Sequence, residues 1–107
     1  MKGFEGLLKH AQKLQAEATR IQEELGGKTV EGSAGGGMVV ARVTGRQEVV
    51  SVKMEREVVN PDDIGMLQDL TVAAVNDGLR KARELALSEM KKLTGGLPIP
   101  GLESLFG

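Results

Sequence analysis

The sequence predicts an α+β domain with a long helix at each end and three strands between them. Three observations carry this prediction. Apolar residues recur at heptad spacing from Leu7 to Leu25, two Val-rich segments flank a short turn at Gly45-Arg46, and a long helical pattern opens at Asn60-Pro61. At 107 residues the chain reads as one domain. Gly26-Gly27, the GSAGGG stretch at 32–37, Asn60-Pro61 and Gly95-Gly96 punctuate it. The expected domain covers residues 1–94. Residues 95–107 (GGLPIPGLESLFG) read as a flexible tail, since Pro98 and Pro100 cannot continue a helix.

The first helix is expected over residues 3–25. Leu7, Ala11, Leu14, Ala18, Ile21 and Leu25 are spaced alternately by four and three, so they return to one narrow stripe. The small Ala11 and Ala18 let a second helix approach closely. Three heptads on a helix about 33 Å long exceed what a small sheet covers, so the seam asks for a helical partner, most simply another copy. On the opposite side, Lys2, Lys9, Lys13 and Arg20 fall within a stripe about 40° wide, about 140° from the seam. Two readings are open there: a solvated face balanced by Glu5, Glu17, Glu23 and Glu24, or a line of phosphate contacts along a projecting rod.

The middle is β. Residues 38–44 (MVVARVT) and 48–54 (EVVSVKM) form the expected hairpin, with Val39, Ala41 and Val43 on one face of the first strand and Val50, Val52 and Met54 on one face of the second. A third strand over 28–34 suits a sheet edge, because Glu31 and Gly32 fit an edge better than a centre. GSAGGG lacks the Lys-Ser/Thr of a nucleotide loop and precedes a strand, so it reads as a mobile hairpin loop.

The last helix is expected from Asn60 as N-cap and Pro61 as first helical residue, with Asp62 and Asp63 at the positive end of the dipole, running to about Leu93. Residues 70–75 (LTVAAV) are apolar all round and imply burial on two sides, with Leu70, Ala74 and Val75 as core or dimer positions. Further on, Leu79, Ala82, Ala86, Met90 and Leu93 share a face, and Arg80, Lys81, Arg83, Lys91 and Lys92 spread over the rest. Gly78 is unfavourable in mid-helix by about 1 kcal/mol, and close packing at that point is one explanation.

Composition excludes several functions. There is no Cys and one His (His10), which removes thiolate chemistry, zinc ribbons, iron–sulfur sites and a multi-histidine metal site within one chain. No metal, cofactor or catalytic residue is expected, because the four serines have no identifiable base and the acidic pairs are explained by capping and surface balance. The only aromatics, Phe4 and Phe106, argue against base-stacking recognition. No run approaches the ~20 apolar residues of a membrane span, and the opening residues lack a signal-peptide core; a cytoplasmic protein is expected. The net charge of −1 hides segregation: residues 1–20 carry +2, residues 55–77 carry −5 and residues 80–92 carry +3.

With these parts in order, the chain resembles the YbaB/EbfC family of bacterial nucleoid-associated proteins. The resemblance rests on KHAQKLQAEATRIQEEL, GGGMVVARVTG, LQDLTVAAVNDGLRKA and GLPIPGL, covers nearly the whole chain, and is most specific from Leu67 to Ala82. It implies an intertwined homodimer of α-β-β-β-α subunits with three-stranded antiparallel sheets and projecting helices. It also implies binding of double-stranded DNA in chromosome organisation and gene regulation, with nucleoid localisation. Recombination or replication proteins are further implied partners. The family supplies no short contact motif, so the DNA-contact candidates rest on helix position and charge: Lys9, Lys13, Arg20, Arg80, Lys81, Arg83, Lys91 and Lys92. The alternative is a dimeric protein-interaction or repair accessory module without direct DNA binding, docking through the apolar tail residues Leu97, Ile99, Leu102, Leu105 and Phe106.

Overall fold

A computed structural model describes residues 2–93 of the chain. The order is α1 (Lys2–Gly26), β1 (Thr29–Ala34), β2 (Val39–Thr44), β3 (Val49–Met54), a 3₁₀ turn (Arg56–Val58) and α2 (Ile64–Leu93). The strands form an antiparallel meander, β1-β2-β3. The boundary expected at residues 94 and 95, and the tail beyond it, lie outside the described residues.

α1 ends where Gly27 N–H donates to the Glu24 carbonyl (3.0 Å) and Lys28 N–H to that of Leu25 (3.2 Å). The β2–β3 turn then closes on that end. Gly45 N–H is shared between the carbonyls of Leu25 (3.0 Å) and Lys28 (2.9 Å). Gly35, Gly36 and Gly37 all have positive φ and make the β1–β2 turn. The sequence shows no sign that Gln47 also takes a left-handed φ of 64° in the other turn.

The expected start of α2 is corrected. The Asn60 side-chain oxygen accepts from Asp62 N–H (3.0 Å) and its carbonyl from Asp63 N–H (2.9 Å). Residues 60–63 are therefore a turn, with Pro61 at its second position. The helix begins three residues later, at Ile64, where Asp63 Oδ1 accepts from Met66 N–H (3.2 Å) and acts as the cap. Asn60 satisfies the turn instead of the helix because its short side chain competes locally for backbone N–H groups.

α2 crosses the inner sheet face formed by Val39, Ala41 and Val43, all fully buried. The approach is set by two glycines: a Cβ on Gly32 would lie 2.0 Å from Gly78 N and 2.3 Å from the Ala74 carbonyl oxygen. One apolar cluster joins Val39, Ala41, Val58 and Ala74, and a second joins Ile21 and Leu25 of α1 to Ala86 and Met90 of α2. The two helices run antiparallel: Glu17, Arg20, Ile21 and Glu24 of α1 line a groove with Glu89 and Lys92, while Lys28, beyond the end of α1, reaches Glu89. Residues 2–16 of α1 project beyond Leu93, the last described residue of α2, by about 22 Å. The molecule measures 72 × 23 × 17 Å, with a radius of gyration of 19.0 Å. A compact chain of this length would have about 13 Å.

The core and dimer candidates divide accordingly. Ile21 and Ala74 are buried, and Ala18, Leu70 and Val75 are half-buried. Leu7, Ala11 and Leu14 are exposed in the single chain. The 70–75 segment is covered on the sheet side within one chain, while Val72 and Ala73 face away from the sheet and are exposed in the single chain.

Candidate nucleic-acid interface

Positive charge on the two helices falls into two groups, cations bound within the chain and cations left open. Arg20 belongs to the first. Its guanidinium donates to Glu17 Oε2 (2.7 Å) and Glu24 Oε1 (2.5 Å), one turn to either side. The hydrogen bond to Glu17, reinforced by the charges of both carboxylates, raises the Arg20 pKa further. Glu89 holds Lys28 and Lys92, each at 3.3 Å. These two hydrogen bonds, that from Lys92 the stronger, hold its carboxyl below the usual range.

Asp77 is the centre of a larger arrangement. Its Oδ2 accepts from Ser33 N–H on β1 (3.0 Å) and lies 3.3 Å from Lys81 Nζ, while its Oδ1 accepts from Arg80. Lys81 Nζ also donates to the Glu31 carbonyl (3.1 Å). Ser33 N–H and the Glu31 carbonyl are edge groups of β1, directed away from β2. α2 therefore caps the free edge of β1 with one acidic and one basic side chain. The backbone N–H of Ser33, followed by Lys81, depresses the Asp77 pKa.

Lys9, Lys13 and Arg83 make up the open group. All three are exposed, and among the described residues none has an ion-pair or hydrogen-bond partner. Lys9 and Lys13 lie on the projecting part of α1, opposite its apolar seam. On α2, Arg80, Arg83 and Lys91 share one flank, and Lys81 and Lys92 lie on the other, with Arg83 and Lys92 about 180° apart. A single chain thus brings Lys9 and Lys13 together, and Arg80, Arg83 and Lys91 together, without joining all eight candidates on one surface. The Lys2 side chain lies outside the described residues.

The outer sheet face carries two further cations, Arg42 on β2 and Lys53 on β3. Arg42 is 3.9 Å from Glu31, and a depression of about 430 Å³ beside Lys53 is lined by Glu31 and Glu55. Those carboxylates interrupt any phosphate track there. Arg56, in the 3₁₀ turn, is a further exposed cation that helix periodicity could not single out. Among the described residues no three His, Cys, Asp or Glu side chains are close enough to hold a metal ion. No described helix is long and apolar enough to cross a membrane.

Comparison with known proteins places this geometry. The model of the YbaB/EbfC DNA-binding family matches residues 1–97. A nucleoid-associated protein of Syntrophobacter fumaroxidans is 67% identical over 90 residues, covering 84% of this chain and 82% of that one. One from Acetivibrio thermocellus is 54% identical over 105 residues, covering 94% and 93%. The crystal structure of an uncharacterized protein from Helicobacter pylori superposes with a TM-score of 0.76 at 22% identity, over 86% of this chain and 97% of that one. That likeness shows the shared fold.

Proposed function

Because the chain belongs to the YbaB/EbfC DNA-binding family, we propose that it acts as a nucleoid-associated protein, gripping double-stranded DNA as a homodimer through the phosphate backbone. One observation carries the reading. Lys9 and Lys13 stand exposed and unpaired on the projecting part of α1, on the side opposite its apolar seam. Long cationic side chains on a rigid rod follow a phosphate track without reading bases. Arg83 adds an open cation on α2, and Arg80 beside it remains 61% exposed although it is paired with Asp77. Arg20, Lys81 and Lys92 take supporting roles, since each already answers a carboxylate within the chain.

Dimerisation is supported by apolar surface that one chain leaves open. Val49, Val50 and Met54 on edge strand β3 are exposed, as are Val59, Ile64, Met66 and Val72 in the segment that follows. A folded monomer would leave this contiguous stretch of chain in water. Two subunits would double the number of open cations and leave the acidic 55–77 region at the centre. Roles in chromosome organisation and gene regulation follow from backbone binding of this kind.

Mobility shifts of a random-sequence duplex at several salt concentrations test the reading. Lys9→Ala combined with Lys13→Ala should weaken binding to all duplexes alike and lower the log–log salt slope by about 0.9 per lost phosphate contact, with the dimer intact by light scattering. Binding indistinguishable from wild type would remove α1 as the contact. Wild-type protein that binds no duplex even at low salt would favour the interaction-module alternative.

A further inference from the structure

The molecule has a second open apolar surface, remote from the one assigned to the dimer. It lies on the projecting part of α1, where Phe4, Leu7, Leu8 and Leu14 are exposed, Leu7 at 68%. The thirty residues of α2 and the projecting part of α1, laid end to end, come to about 67 Å, which accounts for the 72 Å long axis. The α1 tip and the start of α2 therefore occupy opposite ends of the molecule, too far apart to belong to one small interface.

We propose that the projecting part of α1 is a second self-association surface, on which the same segment of another copy packs antiparallel. Its seam already accepts a helix in this way: Ile21 and Leu25 pack against the antiparallel α2, and the same heptad continues outward through Leu14, Ala11, Leu7 and Phe4. Centred between Leu7 and Ala11, an antiparallel pair sets Phe4 of one copy against Leu14 of the other at each end, and Leu7 against the small Ala11 in the middle, where the helices approach most closely. The flanking positions are Leu8, His10 and Gln15, so no acidic or Lys/Arg pair of like charge opposes the contact. Lys9 and Lys13 fall on the outermost positions of such a pair and stay free. The other available occupant, the chain's own C-terminal segment, is a poorer match by sequence, since it carries Pro98 and Pro100 and no heptad complementary to the seam. Two heptads make a weak contact alone, strengthened when two dimers are held on neighbouring DNA. Joining DNA-bound dimers rests on the function proposed above; the pairing itself does not.

Sedimentation of the full chain without DNA separates the two. Wild type should shift with rising concentration toward twice the mass of a Leu7→Gln, Leu14→Gln double variant, which should keep a single mass. Both side chains are exposed, so the variant should retain wild-type helix content by circular dichroism. With DNA, wild type should carry a labelled duplex onto bead-bound duplex; the variant should lose that capture while binding a single duplex as before. Identical sedimentation and capture by the two proteins would overturn the proposal. A chain ending at Leu93 that associates where the full chain does not would also overturn it, assigning the seam to the C-terminal segment. A variant that is monomeric where wild type is dimeric would uphold the α1 pairing and remove the β3 side as the dimer interface. Failure of wild type to bind DNA would sink the DNA reading alone, leaving sedimentation to decide the pairing.

Discussion

Gly32 and Gly78 decide how closely α2 can lie on the sheet. A methyl group on Gly32 would meet backbone atoms of Gly78 and Ala74, which cannot rotate aside as a side chain would. Gly32→Ala should therefore destabilise by about 3 kcal/mol or more, a loss of at least about 12 °C in Tm for a domain of this size. Gly36→Ala is the control. Its φ of +66° is unfavourable for Ala, but nothing lies within 4 Å of the new atom, so about 1 kcal/mol is expected. Calorimetry of both variants checks the difference. Asp77 is the second decisive residue. Its pKa is lowered in the folded protein, so its stabilising contribution is complete above the ordinary carboxylate range and is lost as pH falls through the depressed folded value. Glu89 behaves in the same sense. Wild-type Tm should fall as pH drops from about 5 toward 3, and Asp77→Asn should lower Tm at pH 7 while making that fall shallower. An unchanged pH profile in Asp77→Asn would show that the β1 edge cap contributes nothing.

At the scale of elements, the fold was legible from periodicity. The heptad marked α1, alternation and turn residues marked three strands within a residue of where they lie, and the chain between Asn60 and Leu93 read as one helix. The start of α2 is not legible in the sequence, because Asn60-Pro61 suits a helix cap and a turn equally, and only the hydrogen bonds tell them apart. Asp63→Ala should accordingly cost about 1 kcal/mol, and Asn60→Ala should not shorten α2 by circular dichroism. The candidate site was legible only as a set of charges. Ser33 and Asp77 are 44 positions apart, and Lys81 and Glu31 are 50 apart. No local pattern could show that Lys81 is committed to a sheet edge and Arg80 paired with Asp77 while Lys9 and Lys13 remain open.

For the whole molecule, the decisive contrast lies within one turn of α2. Val75 is half-buried against the sheet cluster, whereas Val72 is 60% exposed in the single chain. If two subunits cover that outer side, Val72→Glu should shift the protein toward monomer by light scattering while largely preserving its circular dichroism. Val75→Glu should disrupt folding and assembly together, because an unpaired charge would be placed in the core. A Val72→Glu protein as dimeric as wild type would move the interface elsewhere.

The core is divided in two, and the division bears on how the protein moves. Among the described residues, the outer cluster ties the helices together through Ile21, Leu25, Ala86 and Met90, with Ala18 and Leu85 at its margin, whereas the other cluster has the whole sheet behind it. So few buried side chains make the helical arm the weaker cooperative unit. It can part from α2 at a free-energy cost below that of global unfolding, leaving the strands intact. Amide protons of residues 18–25 should exchange with solvent sooner than those of β2. The arm would then behave as a hinged finger on a fixed palm, able to adjust its span.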